Sequence, residues 1–480
     1  MLIQLLHNVQ NEKCTKGGGM KKNTLAKLFS LGLAVTLTAG TLAGCAGKTE
    51  EPVKEEVTTG EAETEASQET SFAGQTLKVA AIETAYGADM WSEVAKAFEA
   101  KTGATVELTV DKNLEDVIGA GMKSGDYPDV VHLATGRPAA LTETMIKEEG
   151  LEDLSGVLDM TVPGEDVTVK DKIASGFTES SLTNPYGDGK TYLAPMFYGP
   201  CGLFYNAGLF KEKGYEVPTT WDEMWELADK AKEDEIALFS YPTTGYFDAF
   251  FYAMLYEAGG AEFFDKATTY SEGIWDTEEA KKVFDTITKL AENTEKSVPS
   301  NANNDNYLKN QQLTLDNKAL FMPNGNWVIG EMQDTPRADG FEWGFMALPA
   351  LEDGGDRYSY AWFEQMWVPA EAANKELAKE FVAYMYSDEA ATIFAKSGAI
   401  QPILGFADSL EGDQQLYYSI YDNGAKAALG ACATTDAVEG VSIADTVFGT
   451  INSLVSGDKT EEDWVNAIKA DSDQLRSALK

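Results

Sequence analysis

The apolar positions of this chain switch repeatedly between a period of two and the period of a helix. Leu77-Lys78-Val79-Ala80-Ala81-Ile82 is a short apolar run that predicts a strand. Met90, Trp91, Val94, Ala95 and Phe98 then recur at helical spacing up to Gly103, a residue suited to closing a helix. Residues 105–110 alternate as a strand, 114–122 read as a helix, and 128–133 (Pro-Asp-Val-Val-His-Leu) read as a buried strand. Such an order predicts a mostly parallel sheet with helices on its faces, and ligands at the strand ends.

A second series follows. Residues 184–190 (Asn-Pro-Tyr-Gly-Asp-Gly-Lys) predict a turn ahead of strands at 192–196 and 203–205. Thr220 with Glu223 is a capping-box pattern opening a helix over 221–232. Strands are predicted at 237–240, 319–322, 343–348 and 362–368. Helices are predicted over 247–258, from a cap at Asp276 to about 291, from Asn374 through Phe381 and Met385, and over 443–455 and 461–479. No internal repeat is visible. Two alternating sections, each with its own strands, read as two α/β lobes with the expected site in the cleft between them.

The N-terminal pattern is different in kind. Met20-Lys21-Lys22-Asn23 is a short basic start, and an apolar stretch with Phe29, Leu31, Leu33, Val35 and Leu37 leads to small residues. That is the plan of an export signal. Gly32, Gly40 and several threonines interrupt the run, against a spanning helix of ~20 apolar residues. Leu42-Ala43-Gly44-Cys45 resembles the bacterial lipobox, in which the cysteine is acylated as the first mature residue. Several acyl chains, at ~0.8 kcal/mol per buried CH₂, hold a protein at a bilayer. Met20 is the expected start, with Lys16-Gly17-Gly18-Gly19 read as a translated ribosome-binding site. Residues 46–74, rich in Glu, Thr, Ala, Ser and Lys, read as a solvated tether.

Composition sharpens this. The 480 residues are 44% hydrophobic, enough for sizeable cores, and carry 38 Lys and Arg against 78 Asp and Glu, a net charge of −40. Such a surface repels phosphate backbones, so nucleic acid is not an expected partner. Beyond the signal region His132 is the one histidine left, which disfavours His-rich zinc sites and His-based nucleophilic catalysis. With Cys45 acylated, Cys201 and Cys432 either form a disulfide outside the cell or remain two unpaired thiols.

Several segments, taken in order, resemble the sugar-binding extracellular solute-binding proteins of ABC importers, family 1, the group that contains maltodextrin binders. These are Phe98-Glu99-Ala100-Lys101-Thr102-Gly103, Ser124-Gly125-Asp126-Tyr127-Pro128-Asp129-Val130-Val131, Leu203 to Phe210 (Leu-Phe-Tyr-Asn-Ala-Gly-Leu-Phe), Pro218-Thr219-Thr220-Trp221-Asp222-Glu223, Asn317 to Trp327, Glu376 to Phe381 and Gly398-Ala399-Ile400-Gln401-Pro402. The resemblance covers roughly residues 76–478, and the run of motifs looks closest to members assigned to N-acetylglucosamine or chitobiose. It implies a periplasmic-binding-protein-like α/β fold of two lobes, with a hinge of crossing strands that close over ligand. The implied plan is a signal over 1–44, the lipidated cysteine and tether over 45–74, one lobe from 75–198 plus 361–424, and the other from 199–360 plus 425–480. The implied protein is a monomer without enzyme activity or cofactor, held by its lipid anchor alone on the outer face of the cytoplasmic membrane. Its partners would be a carbohydrate and the permease subunits of an ABC transporter.

A sugar presents an apolar ring face and a rim of hydroxyls, which call for aromatic rings and planar polar groups respectively. The resemblance implies Trp327 as the stacking ring, with Asn326 beside it, and Tyr246 of a Tyr-Phe pair with Phe247 in the core. It implies Arg137, whose guanidinium can take two oxygens in one plane. Tyr86 and Glu83 after the first strand, Tyr198 at the first crossing, and Trp362 with Glu364 on a later strand complete the candidates. Each also has a plain structural reading, as core packing or a surface ion pair. The helix over 443–455 lacks the tryptophan of maltodextrin binders, which favours a shorter saccharide.

Other classes compete. A glycoside hydrolase needs two carboxylates roughly 5–9.5 Å apart, and with so many acids some pair always looks suitable. Tyr417-Tyr418 is similar to the paired tyrosines of ferric-ion binders but falls in a helical stretch, where core or surface roles are commoner. The turn at 184–190 has the oxygen content but not the ligand spacing of a calcium loop. A purely structural adhesin would not need a hinged aromatic cleft.

Overall fold

The computed structural model describes residues 72–480. The residues read above as an export signal and a tether, with Cys45, lie outside the described residues. Phe72 is already docked: its side chain is buried and its N–H donates to Thr102 O at 3.0 Å.

The described residues form one sheet of nine strands: β1 Thr76–Ile82, β2 Thr105–Asp111, β3 Val130–His132, β4 Ala194–Asn206, β5 Ala237–Phe239, β6 Ala319–Gly325, β7 Trp343–Met346, β8 Tyr358–Trp367 and β9 Lys426–Ala428. The main path runs β2-β1-β3-β8-β4-β6-β5, with β7 paired to β4 and β9 to β8. β1, β2 and β3 are parallel, as are β5 and β6, whereas β4 and β8 run antiparallel to each other and to their neighbours at the join.

The apolar run of β1 follows from burial on both faces. Leu77, Val79 and Ala81 enter one core with Trp91 and Phe98, while Ala80 and Ile82 enter another with Leu114 and Trp367. A separate large core gathers Trp221, Phe239, Phe250, Phe251 and Trp464 around β5 and β6. β4 and β8 thread between these cores. On β8, Tyr358 and Tyr360 pack in the β5–β6 core and Ala361 and Met366 in the β1 core, and β4 likewise sends Leu203 to one and Met196 to the other.

Several predicted elements differ in detail. The strands predicted at 192–196 and 203–205 are one 13-residue strand, β4. Pro200 lies inside this strand, and its carbonyl accepts from Asn326 N at 3.2 Å. The helix Glu278–Glu292 is capped by Thr277, which accepts from Ala280 N, rather than by Asp276. The helix Phe247–Thr268 outruns its predicted end through a break at Gly259 and Gly260. The helix predicted over 443–455 carries a wider turn at Asp445–Gly449 before Ile451–Ser456. Thr220 and Glu223 do form the capping box of Trp221–Glu233.

Cys201 and Cys432 are both free thiols, so the disulfide is not formed. The Cys201 thiol sits beside the Trp362 indole on the central strands, and the Cys432 thiol beside the Tyr252 and Tyr270 hydroxyls. Burial pushes both thiols up. No helix among the described residues is long and apolar enough to cross a membrane.

Candidate ligand-binding site

The candidate residues converge where β4, β6 and β8 meet. In the ladder Gly199 faces Trp362, and Cys201 faces Tyr360 on one side and Gly325 on the other. β6 ends at Gly325, and the Asn326 N–H bond to Pro200 O carries the pairing one residue further. Asn326 is thereby laid over Gly199, where a Cβ would stand 3.2 Å from its Oδ1. Its Nδ2 donates to the Tyr418 hydroxyl at 3.3 Å, which donates to Tyr198 O at 3.0 Å. The amide is aimed by this chain of bonds.

Trp327 follows, half-buried, as the cap of Val328–Glu331. The Tyr246 ring stands 6.0 Å from it at 56°. Tyr246 closes a short turn, Thr244–Tyr246, which the Thr243 hydroxyl fixes by accepting from Gly245 N. Burial, with the nearby Glu331 carboxylate, pushes the Tyr246 phenol up. Glu331 itself accepts from the Tyr307 hydroxyl at 2.8 Å and from Gln311 Nε2 at 2.7 Å. Trp362, also half-buried, meets Tyr360 edge-on at 5.4 Å.

Tyr86 lies after β1 with its ring edge-on to Phe197 at 5.8 Å. Burial, and then the Glu364 carboxylate, pushes its phenol up. Glu364 Oε2 is 3.2 Å from Nε2 of His132, which is fully buried between Trp91 and Phe197, although the two are not aligned for a hydrogen bond.

Three candidates are placed differently. Arg137 is bound through Nε and Nη2 to the Glu115 carboxylate, the second contact at 3.2 Å. Burial acts to raise Glu115, but the Arg137 hydrogen bonds, a backbone hydrogen bond and the Arg137 charge together outweigh it and hold the carboxyl below its usual range. Glu83 pairs with Lys112 at 3.5 Å. The Tyr198 ring is buried against Phe177 and Tyr418, at 4.8 and 4.9 Å, and its carbonyl accepts from the Tyr418 hydroxyl.

Two residues of the site escaped sequence reasoning. Tyr418, read there only as half of a tyrosine pair, supplies the hydroxyl that aims Asn326; it and Tyr417 are both buried. Asp248 stands two residues after Tyr246 in the first turn of Phe247–Thr268, accepting from Ala249 N at 2.5 Å. Burial pushes its carboxyl up to about 7, and its charge is felt at Cys201 and Tyr360 on the central strands. The signal was a lone acid directly behind an aromatic pair in a glycine turn. Among the described residues no group of three or more His, Cys, Asp or Glu is placed to hold a metal ion.

A seam of aromatic rings and one aimed amide, set on two strands that join two α/β halves, is a receptor architecture. The chain belongs to the bacterial extracellular solute-binding protein family, whose model matches residues 93–414. It is a binding protein and not an enzyme. The diacetylchitobiose binding protein DasA of Streptomyces coelicolor is 22% identical over 395 residues, 80% of this chain and 82% of that protein. A second diacetylchitobiose binding protein of that organism, NgcE, is 28% identical over 207 residues, 41% of this chain and 43% of the relative. The solved bacterial solute receptor AcbH, described as preferring β-D-galactopyranose, superposes with a TM-score of 0.63 at 18% identity, covering 84% of this chain and 99% of that one. The fold is the two-lobed α/β fold of periplasmic binding proteins, with a ligand cleft between the lobes and crossing strands as the hinge.

Proposed function

We propose that this protein is the lipid-anchored receptor of a carbohydrate ABC importer, binding a mono- or short oligosaccharide between its lobes and delivering it to the permease. The observation that carries the reading is the grouping of Trp327, Tyr246, Trp362 and Asn326 around the β4–β6–β8 seam. Aromatic faces suit the apolar face of a pyranose, and the Asn326 amide and the Asp248 and Glu364 carboxyls suit its hydroxyl rim. β4 and β8 are the crossing strands, so a ligand seated on their seam touches both lobes and favours closure by that differential contact. The names of the curated relatives support an amino-sugar disaccharide within this class. Export and acylation at Cys45 would place the receptor on the outer face of the membrane.

A thermal-shift screen across N-acetylglucosamine, diacetylchitobiose, galactose and short maltodextrins tests this, since a ligand of the native state raises stability by RT ln(1 + [L]/Kd). The expected result is a clear upward shift with a mono- or disaccharide that Trp327→Ala reduces. Absence of any shift, or turnover of an oligosaccharide, contradicts the proposal.

A further inference from the structure

We propose that Gly325 is a positioning residue for ligand binding: its missing side chain is the seat on which the Trp327 indole lies back against the strand end. The inference rests on the reading of Trp327 as the stacking ring.

A Cβ built on Gly325 would stand 2.1 Å from both Cη2 and Cζ3 of Trp327 and 2.6 Å from its Cε3. The three nearest atoms are all from the six-membered ring of that one indole. Contacts of this length do not occur, so any side chain at 325 must move the ring. Two neighbouring glycines behave differently. At Gly202 the added Cβ would meet Met346 O at 2.4 Å, and at Gly208 it would meet Gly340 O at 1.9 Å. Those are close approaches of backbone to backbone, where no side chain can step aside. At Gly202 the Phe345 ring also comes within 3.0 Å, but only at Gly325 of the three are all the nearest atoms those of one ring; Gly344 likewise lies under a ring, that of Tyr205, at 2.3 Å.

Backbone conformation does not call for glycine here. Gly325 is absent from the positions of positive φ, lies within β6, and pairs in register with Cys201. Glycine weakens a strand interior by roughly 0.5–1 kcal/mol relative to alanine, so a glycine there signals something that approaches closely. Tyr246 stands beside the indole, with ring centroids 6.0 Å apart and the planes tilted by 56°. Glycine below and tyrosine beside fix which face of Trp327 is left for a sugar.

The experiment is a double-mutant cycle in the full chain with Gly325→Ala, Trp327→Ala and the double variant. Titration calorimetry with diacetylchitobiose, N-acetylglucosamine and galactose gives affinities, and thermal melts give midpoints. The expected result is at least a tenfold loss of affinity from Gly325→Ala when Trp327 is present. In the Trp327→Ala background the same change lowers neither affinity nor midpoint further, because the obstructing ring is gone. Wild-type affinity in Gly325→Ala overturns the proposal, as does an equal loss of midpoint in both backgrounds, which would mark Gly325 as a packing glycine. If the wild-type protein binds none of the three sugars, the binding role falls with the proposed function, and the midpoint cycle then reports on the ring seat alone.

Discussion

Trp327 and Arg137 both stand just past the end of a buried strand, and both are candidates for gripping a sugar, yet their surroundings are opposite. Arg137 already holds the Glu115 carboxylate with two of its nitrogens. Trp327 packs on a bare glycine and one tyrosine, and stays half-buried. The same contrast divides Glu83, paired with Lys112, from Asp248, which has no cationic partner among the described contacts. A residue type suited to recognition becomes a recognition element only when the fold leaves its bonding capacity unfilled. The β4–β6–β8 seam collects such residues; the loops after β1 and β3 have largely satisfied theirs.

This contrast can be broken by substitution. Trp327→Ala should weaken saccharide binding most, by about 2 kcal/mol or roughly 30-fold as buried tryptophan anchors do, with a small change in thermal midpoint. Isothermal titration reads the first and a melt the second. Asp248→Asn comes next, costing about 1 kcal/mol of affinity as a carboxyl oxygen that can accept from a sugar hydroxyl gives way to an amide donor. It should also alter the pH dependence of stability. The folded carboxyl titrates near 7, above its unfolded value, because burial disfavours the charge. Between the ordinary carboxylate range and about 7 the native state therefore holds the extra proton, and stability falls as pH rises through that window. Melts of wild type against Asp248→Asn from pH 4 to 8 should show a shallower fall in the variant, the remainder coming from other buried carboxyls such as Glu257 and Glu331, which burial also pushes up.

Arg137→Ala should do the reverse of Trp327→Ala. Its affinity should stay within about twofold of wild type, while stability drops by about 1 kcal/mol because Glu115 loses its partner in a half-buried place. Affinity loss without destabilisation would return Arg137 to the ligand. The smallest effect is expected from Tyr418→Phe, which frees the Asn326 amide and should cost about 0.5–1 kcal/mol of affinity in the same titrations.

Much of the fold was legible because periodicity and capping report local physics. β1 and β3 were legible from apolar runs, β2 from alternation, and the helix at Trp221–Glu233 from Thr220 and Glu223. β4 was not, because its continuity through residues 197–202 depends on partners drawn from β6, β7 and β8. The aromatic candidates at the seam could be named from sequence, but not what surrounds them. Glu115 is 22 residues before Arg137, and Tyr418 is 92 residues after Asn326. That the Tyr198 ring is buried is set by its register on β4 and its packing against Phe177, neither of which its neighbours in sequence reveal.

The most direct measurement is a crystal structure of the protein with the saccharide that gives the largest thermal shift. The expected density places a pyranose ring face-on to the Trp327 indole, with Asn326 and Asp248 within hydrogen-bonding distance of its hydroxyls. A sugar held instead at the loops of Arg137 and Glu83, with Trp327 untouched, contradicts the central claim.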